Sequence, residues 1–88
     1  MLPDADPDAQ IARHAPQVES VQLAAILAAR IKRGDWKPGW PITSEERLAQ
    51  EYGLVRNTVR KAIKLLVDEG YVFVAPRRGT YVAEHDDT

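Results

Sequence analysis

The sequence contains no cysteine, a single methionine and a single phenylalanine. Without cysteine there is no disulfide framework, no thiolate zinc site and no thiol nucleophile, a composition compatible with a reducing compartment. Long apolar runs are also missing. The longest, Leu23 to Ala29, is about a third of the roughly 20 residues that a membrane span needs. The N-terminus lacks the basic-then-apolar order of a signal peptide. Histidine is scarce: His14 and His85 stand near opposite ends, too far apart in the chain to suggest a shared metal or catalytic role. His85, beside Glu84, Asp86 and Asp87, is read as solvated surface rather than as a weak divalent-cation site. No glycine-rich loop opens a helix after a strand, and no serine has a histidine at a plausible fixed position. The expectation is a soluble, cytoplasmic protein that is not an enzyme, with no catalytic residue, metal or cofactor.

What is present is enough for one small domain. Of 88 residues, 44% are hydrophobic and 28% charged, too few for two independent cores. The net charge of −1 conceals a strong division along the chain. In residues 1–19, Asp4, Asp6, Asp8 and Glu19 face only Arg13; residues 84–88 add Glu84, Asp86 and Asp87. Each end therefore carries −3, while residues 20–83, with eleven Lys/Arg against six Asp/Glu, carry +5. A basic centre between acidic ends is the charge footprint of a polyanion-binding domain.

Residues 1–16 hold three of the six prolines and little large apolar side chain, so a disordered acidic tail is expected. From Gln17 to Arg33 the chain lacks Pro and Gly, and Leu23, Leu27 and Ile31 recur four apart, which predicts a first helix closed by Gly34. Asp35 to Pro41 is a turn-rich connector whose Trp36 and Trp40 are expected to cover the core edge, and Ile42 is a candidate short strand. Thr43 with Glu46 three residues on reads as a capping box for a second helix, Ser44 to Tyr52, ended by Gly53. A third helix follows Leu54 and Val55 and runs to Glu69, closed by Gly70. The period then changes from helix to strand: Tyr71 to Val74 and Thr80 to Val82 are β-formers around a turn at Pro76 to Gly79. The predicted class is mainly α with a small β-hairpin, a winged helix-turn-helix of three helices plus a two-stranded wing. It occupies residues 17–83, with residues 84–88 as a second acidic tail.

On the third helix, at about 100° per residue, Arg56, Asn57, Arg60, Lys61 and Lys64 fall within an arc of roughly 140°. Val55, Val59, Ala62 and Leu66 gather opposite, and Val67 is an apolar exception on the basic arc. Arginine pairs with guanine edges, asparagine with adenine, and lysine or threonine with phosphate, so the mixture suits a major groove. An isolated basic helix is more often a solvated surface. Here the cations lie on the second helix of a helix-turn-helix, and Arg77 and Arg78 occupy a hairpin tip where Asn, Asp or Gly is usual.

From Gln22 to Val82, about two thirds of the chain, the sequence resembles the DNA-binding domain of the GntR family of bacterial transcription regulators. The resemblance runs without a gap through Gln22-Leu23-Ala24, Ile31, Gly34, Pro38-Gly39, Ser44-Glu45, Leu48-Ala49, Gly53, Arg56-Asn57-Thr58-Val59-Arg60, Ala62, Leu66, Glu69-Gly70 and Gly79-Thr80-Tyr81-Val82. It implies a winged helix that binds operator DNA, usually as a homodimer on a pseudo-palindrome and commonly as a repressor. Arg56, Thr58 and Arg60 would contact DNA. Together with the basic arc and the wing tip, the expected DNA-binding set is Ser44, Arg47, Arg56, Asn57, Thr58, Arg60, Lys61, Arg77, Arg78 and Gly79. Family members usually continue into a larger sensing or dimerising domain, so these residues are either a reader alone or a fragment.

Three departures point to a non-standard operator. Where the family has Leu-Pro-Ser-Glu-Arg, this chain has Ile42-Thr43-Ser44-Glu45-Glu46, so the usual arginine is an acid and Arg47 is its candidate substitute. Val55 replaces a capping serine or threonine before the third helix, and Arg77-Arg78-Gly79-Thr80 replaces Gly-x-Gly-Thr at the wing. Other readings remain beside DNA binding: an interaction module whose basic helix takes an acidic partner, and acidic ends that cover the basic face. Ala25, Ile26, Ala28 and Ala29 also give helix one a second apolar face, for self-association or simply as good helix formers.

Overall fold

The computed structural model describes residues 1–14 and 18–84. Its elements run α1 (Glu19–Arg33), α2 (Glu45–Tyr52), α3 (Arg56–Asp68), β1 (Val72–Ala75) and β2 (Gly79–Val82). This is the winged helix-turn-helix expected from the order of periodicities. The predicted first residue of α1, Gln17, and residues 85–88 of the expected C-terminal tail, His85 among them, fall outside the described residues.

The core lies where the three helices and the wing meet. Leu23 and Leu27 of α1, Leu48 of α2, Val59, Ala62 and Leu66 of α3, and Val72 and Val82 of the wing are all buried. Each helix therefore contributes one apolar stripe, and alternation along the strands turns Val72 and Val82 inward as a cross-strand pair while Phe73 and Tyr81 stack on the outer face with ring centroids 5.7 Å apart. Residues 39–42 run beside β2: Gly39 N–H donates to the Val82 carbonyl, Val82 N–H to that of Trp40, and Ile42 N–H to that of Thr80, each at 2.9 Å. The short strand expected at Ile42 is thus a single bridge, Pro41 to Tyr81. Trp36 packs against the core beneath the Arg30 guanidinium, 4.4 Å above its ring. Trp40 departs from expectation: 61% of its surface is exposed, with the Lys37 ammonium 5.9 Å from its ring centroid, while its backbone pairs with β2.

Two local expectations shift by one residue. The N-cap of α2 is Ser44, whose hydroxyl accepts from the Arg47 N–H at 3.3 Å, so Thr43 and Glu46 do not form the predicted capping box. Val55 stands at the N-cap of the third helix, where the resemblance put it in place of a capping serine or threonine, and not on the core face to which the helical arc assigned it. Its extended backbone (φ −75°, ψ 152°) takes it off the helical arc, and 68% of its surface is exposed.

The largest difference concerns the N-terminal segment, where a disordered tail was the expectation. Residues 1–14 lie along the body: Leu2 and Ile11 pack against the core, and Ala12 exchanges two hydrogen bonds with the Gln22 side chain at 2.7 and 2.9 Å. Asp8 pairs with Arg33 at 2.8 Å, and Arg13 pairs with Glu19. Residues 3–6, 9 and 10 flank Ala25 and Ile26, which are 3% and 2% exposed yet stand outside the main core cluster. A segment too poor in apolar residues for a core of its own borrows the second apolar face of α1. The same packing leaves that face covered by the chain itself. Among the described residues, no helix is long and apolar enough to cross a membrane.

Candidate nucleic-acid interface

The helix-turn-helix is built by a tight reversal at Gly53. Its left-handed backbone (φ 65°) returns an N–H to the Ala49 carbonyl, and the Leu54 N–H reaches the same oxygen at 2.9 Å. A β-carbon there would also lie 3.1 Å from Nη2 of Arg13, which donates to the Gly53 carbonyl at 2.7 Å. Leu54, buried, anchors the turn, and α3 starts two residues later.

Burial divides α3 as the periodicity requires. Val59, Ala62, Ile63 and Leu66 are buried, whereas Arg56, Asn57, Arg60, Lys61 and Lys64 are exposed and Thr58 is half-buried. The Arg56 and Arg60 side chains are 63% and 62% accessible, and both turn toward one carboxylate oxygen of Glu45, at 4.0 and 3.5 Å from their Nη2 atoms. Sequence reasoning missed this contact of Glu45. The signal lies in the tertiary packing of α2 on α3, which no local spacing reveals. Chemically, one anion between two guanidiniums offsets their mutual repulsion and holds them at a set separation, while their exposure leaves most donors available.

The remaining predicted residues are less uniformly placed. The Ser44 hydroxyl is committed to its own helix as the cap of α2. Arg47 lies two positions past Glu45, about 200° around the helix, and shares a recess with Thr43, Gln50 and Glu51 rather than with the α3 arginines. Arg77 and Arg78 are exposed at the wing tip. The Arg78 N–H closes the turn onto the Ala75 carbonyl at 3.0 Å, with Pro76 second and Arg77 third, at φ 67°. This is the order of a type II turn, whose third position favours glycine. Arg77 is the one described non-glycine residue with positive φ, and Gly79, at φ 124°, follows it into β2.

Among the described residues, no N-terminal carboxylate pairs with the exposed cations of α3. Asp8 reaches Arg33 at the far end of α1, the Asp6 carboxylate accepts from the Asp8 N–H, and the α3 arginines pair with Glu45.

Residues 19–82 match the model of the family described as bacterial regulatory proteins, gntR family. The chain is similar to the HTH-type transcriptional repressor NagR of Bacillus subtilis (strain 168), 38% identical over 63 residues that make up 72% of this chain and 26% of the repressor. The chain thus spans about a quarter of the length of the curated relatives it matches. Among solved structures, it resembles YtrA from Sulfolobus acidocaldarius, a GntR-family transcription factor, with TM-score 0.78 and 32% identity over 88% of this chain and 81% of that one. It also resembles AraR(DBD) solved in complex with operator ORX1, with TM-score 0.73 and 30% identity over 84% of this chain and 95% of that one.

Proposed function

Since the chain belongs to the gntR family of bacterial regulatory proteins, we infer that it is a sequence-specific reader of double-stranded DNA that regulates transcription, as a repressor acting in the cytoplasm. The observation that carries this reading is the exposed face of α3, where Arg56, Asn57, Arg60 and Lys61 stand clear of the core and Glu45 holds the two arginines together. Such a face offers paired donors to guanine, an amide to adenine and point charges to phosphate. AraR(DBD), similar in fold and sequence, was solved on its operator.

In the proposed complex α3 enters the major groove with Arg56 and Arg60 toward base edges and Thr58 and Lys61 toward phosphates. The wing tip, Arg77, Arg78 and Gly79, lies on the backbone or in the adjacent minor groove. The N-terminus of α2, with Ser44 and Arg47, lies near phosphate. Two copies bind a pseudo-palindrome, each through the domain of residues 17–83.

Selection of bound sequences from a random duplex pool tests the reading, and a symmetric enriched motif is the expected result. Arg56→Ala and Arg60→Ala should each cost about 1–3 kcal/mol on that motif and flatten base preference at one position per half-site, measured by fluorescence anisotropy. An unenriched pool, or unchanged affinity in both variants, rejects it.

A further inference from the structure

Val55, the N-cap of α3 and the residue before Arg56, has 68% of its surface in solvent. Its carbonyl accepts from the Thr58 and Val59 N–H groups, but its side chain does nothing evident for the fold. Its side chain cannot accept a hydrogen bond from the first turn, valine is among the least favoured N-caps, and no side-chain cap is formed there. The anchoring of the turn belongs to its neighbour Leu54, which is buried. Nor can a valine bind phosphate, which accepts hydrogen bonds and attracts cations. Yet the residues that follow it, Arg56 and Asn57, are exposed polar groups suited to base edges, and Arg56 is held toward Glu45. A branched apolar side chain amid such donors matches one feature of the major groove, the 5-methyl group of thymine. N-terminal residues of a recognition helix are the ones that approach base edges.

We propose that Val55 is a specificity-determining residue that packs on a thymine methyl group in the major groove, next to the base pair read by Arg56. The assignment rests on the DNA-binding reading above and adds a base and an atom to it. It gives the position an apolar, sequence-dependent contact, and so accounts for a side chain that the fold leaves exposed.

The test uses the full 88-residue chain and a duplex enriched from a random pool, with each thymine in turn replaced by deoxyuridine, which removes the methyl group alone. At one thymine per half-site the unmodified protein should lose about fourfold in affinity, the worth of one buried methyl group. Val55→Ser, which restores a capping hydroxyl, should bind thymine and uracil duplexes equally at that position while keeping any discrimination elsewhere. Val55→Ala should show an intermediate ratio. An enriched duplex with no uracil-sensitive thymine, or a uracil penalty that persists in Val55→Ser, overturns the inference while leaving the DNA-binding reading intact. A pool that yields no enriched sequence overturns both.

Discussion

At the scale of single residues, Arg77 is where the chain departs most from what its backbone favours. The third position of its turn has φ 67°, a conformation that costs an L-residue with a β-carbon roughly 1–2 kcal/mol and glycine nothing. Part of that cost returns on substitution, because glycine also enlarges the unfolded ensemble by up to about 1 kcal/mol. Arg77→Gly is therefore expected to leave the domain as stable or up to about 1 kcal/mol more stable in urea denaturation, while the slope of log affinity against log salt falls by about 0.9 for the lost phosphate contact. A destabilised variant would mean that the guanidinium holds the wing together. The charge of Arg77 was legible in the sequence, since arginines at a hairpin tip are unusual. Its strain was not, because the turn type depends on which strand residues pair, and that register was set by burying Val72 and Val82. Val55 shows the same limit from the other side. Extending the helical arc one residue back placed it in the core, but an N-cap has extended dihedrals, and the arc does not reach it.

At the scale of elements, the helices and hairpin were readable because glycines stop them and because the hydrophobic period changes after Gly70. Caps were less so: Thr43 and Ser44 both carry a hydroxyl, and the choice falls to Ser44 because Ile42 is buried and pinned to the Thr80 carbonyl. How α1 joins the connector also depends on contacts invisible to pattern. The Asp35 carboxylate accepts from Arg33 at 2.8 Å and from Arg30 at 2.9 Å, and Arg30 also reaches Tyr52 of α2 at 3.0 Å. The Arg33 guanidinium first, and then that of Arg30, hold the Asp35 carboxyl well below the usual carboxylate range. A depressed folded-state value means that the stabilisation is present above the unfolded value of about 4 and is lost as the pH falls through the folded one. The wild type should therefore lose stability on acidification below about pH 4. Asp35→Asn should be less stable at pH 7 by an amount in the range of exposed ion pairs, about 0.2–1 kcal/mol, and should show a shallower acid limb in thermal unfolding. Parallel acid limbs in the two proteins would remove Asp35 from the titration.

At the scale of the whole molecule, the N-terminal segment ties the far side of α1 to the base of the helix-turn-helix. Its composition predicted disorder because Leu2 and Ile11 stand alone among polar residues. What they pack against is the edge of the core, while residues 3–6, 9 and 10 flank the second apolar face of α1, and only tertiary structure brings these together. Arg13 completes the link: one guanidinium donates to the carbonyls of Tyr52 and Gly53, at the C-terminus of α2 where the turn to α3 begins. The segment thus does two things in one molecule. It removes Ala25 and Ile26 from water, and it satisfies carbonyls that the helix cannot satisfy itself. Deleting residues 1–14 should lower stability by about 2–3 kcal/mol, from two half-buried apolar side chains and the capping hydrogen bonds, and should re-expose an apolar strip on α1. An exposed strip of that kind favours association, so the truncated chain should sediment with concentration-dependent mass where the full chain does not. The deletion also removes Asp4, Asp6 and Asp8 against Arg13, so affinity for random duplex at low salt should rise. A truncated chain as stable and as monodisperse as the full one would show that α1 does not need its cover. In that case the second apolar face of the helix serves only its propensity, as alanine-rich sequence alone allows.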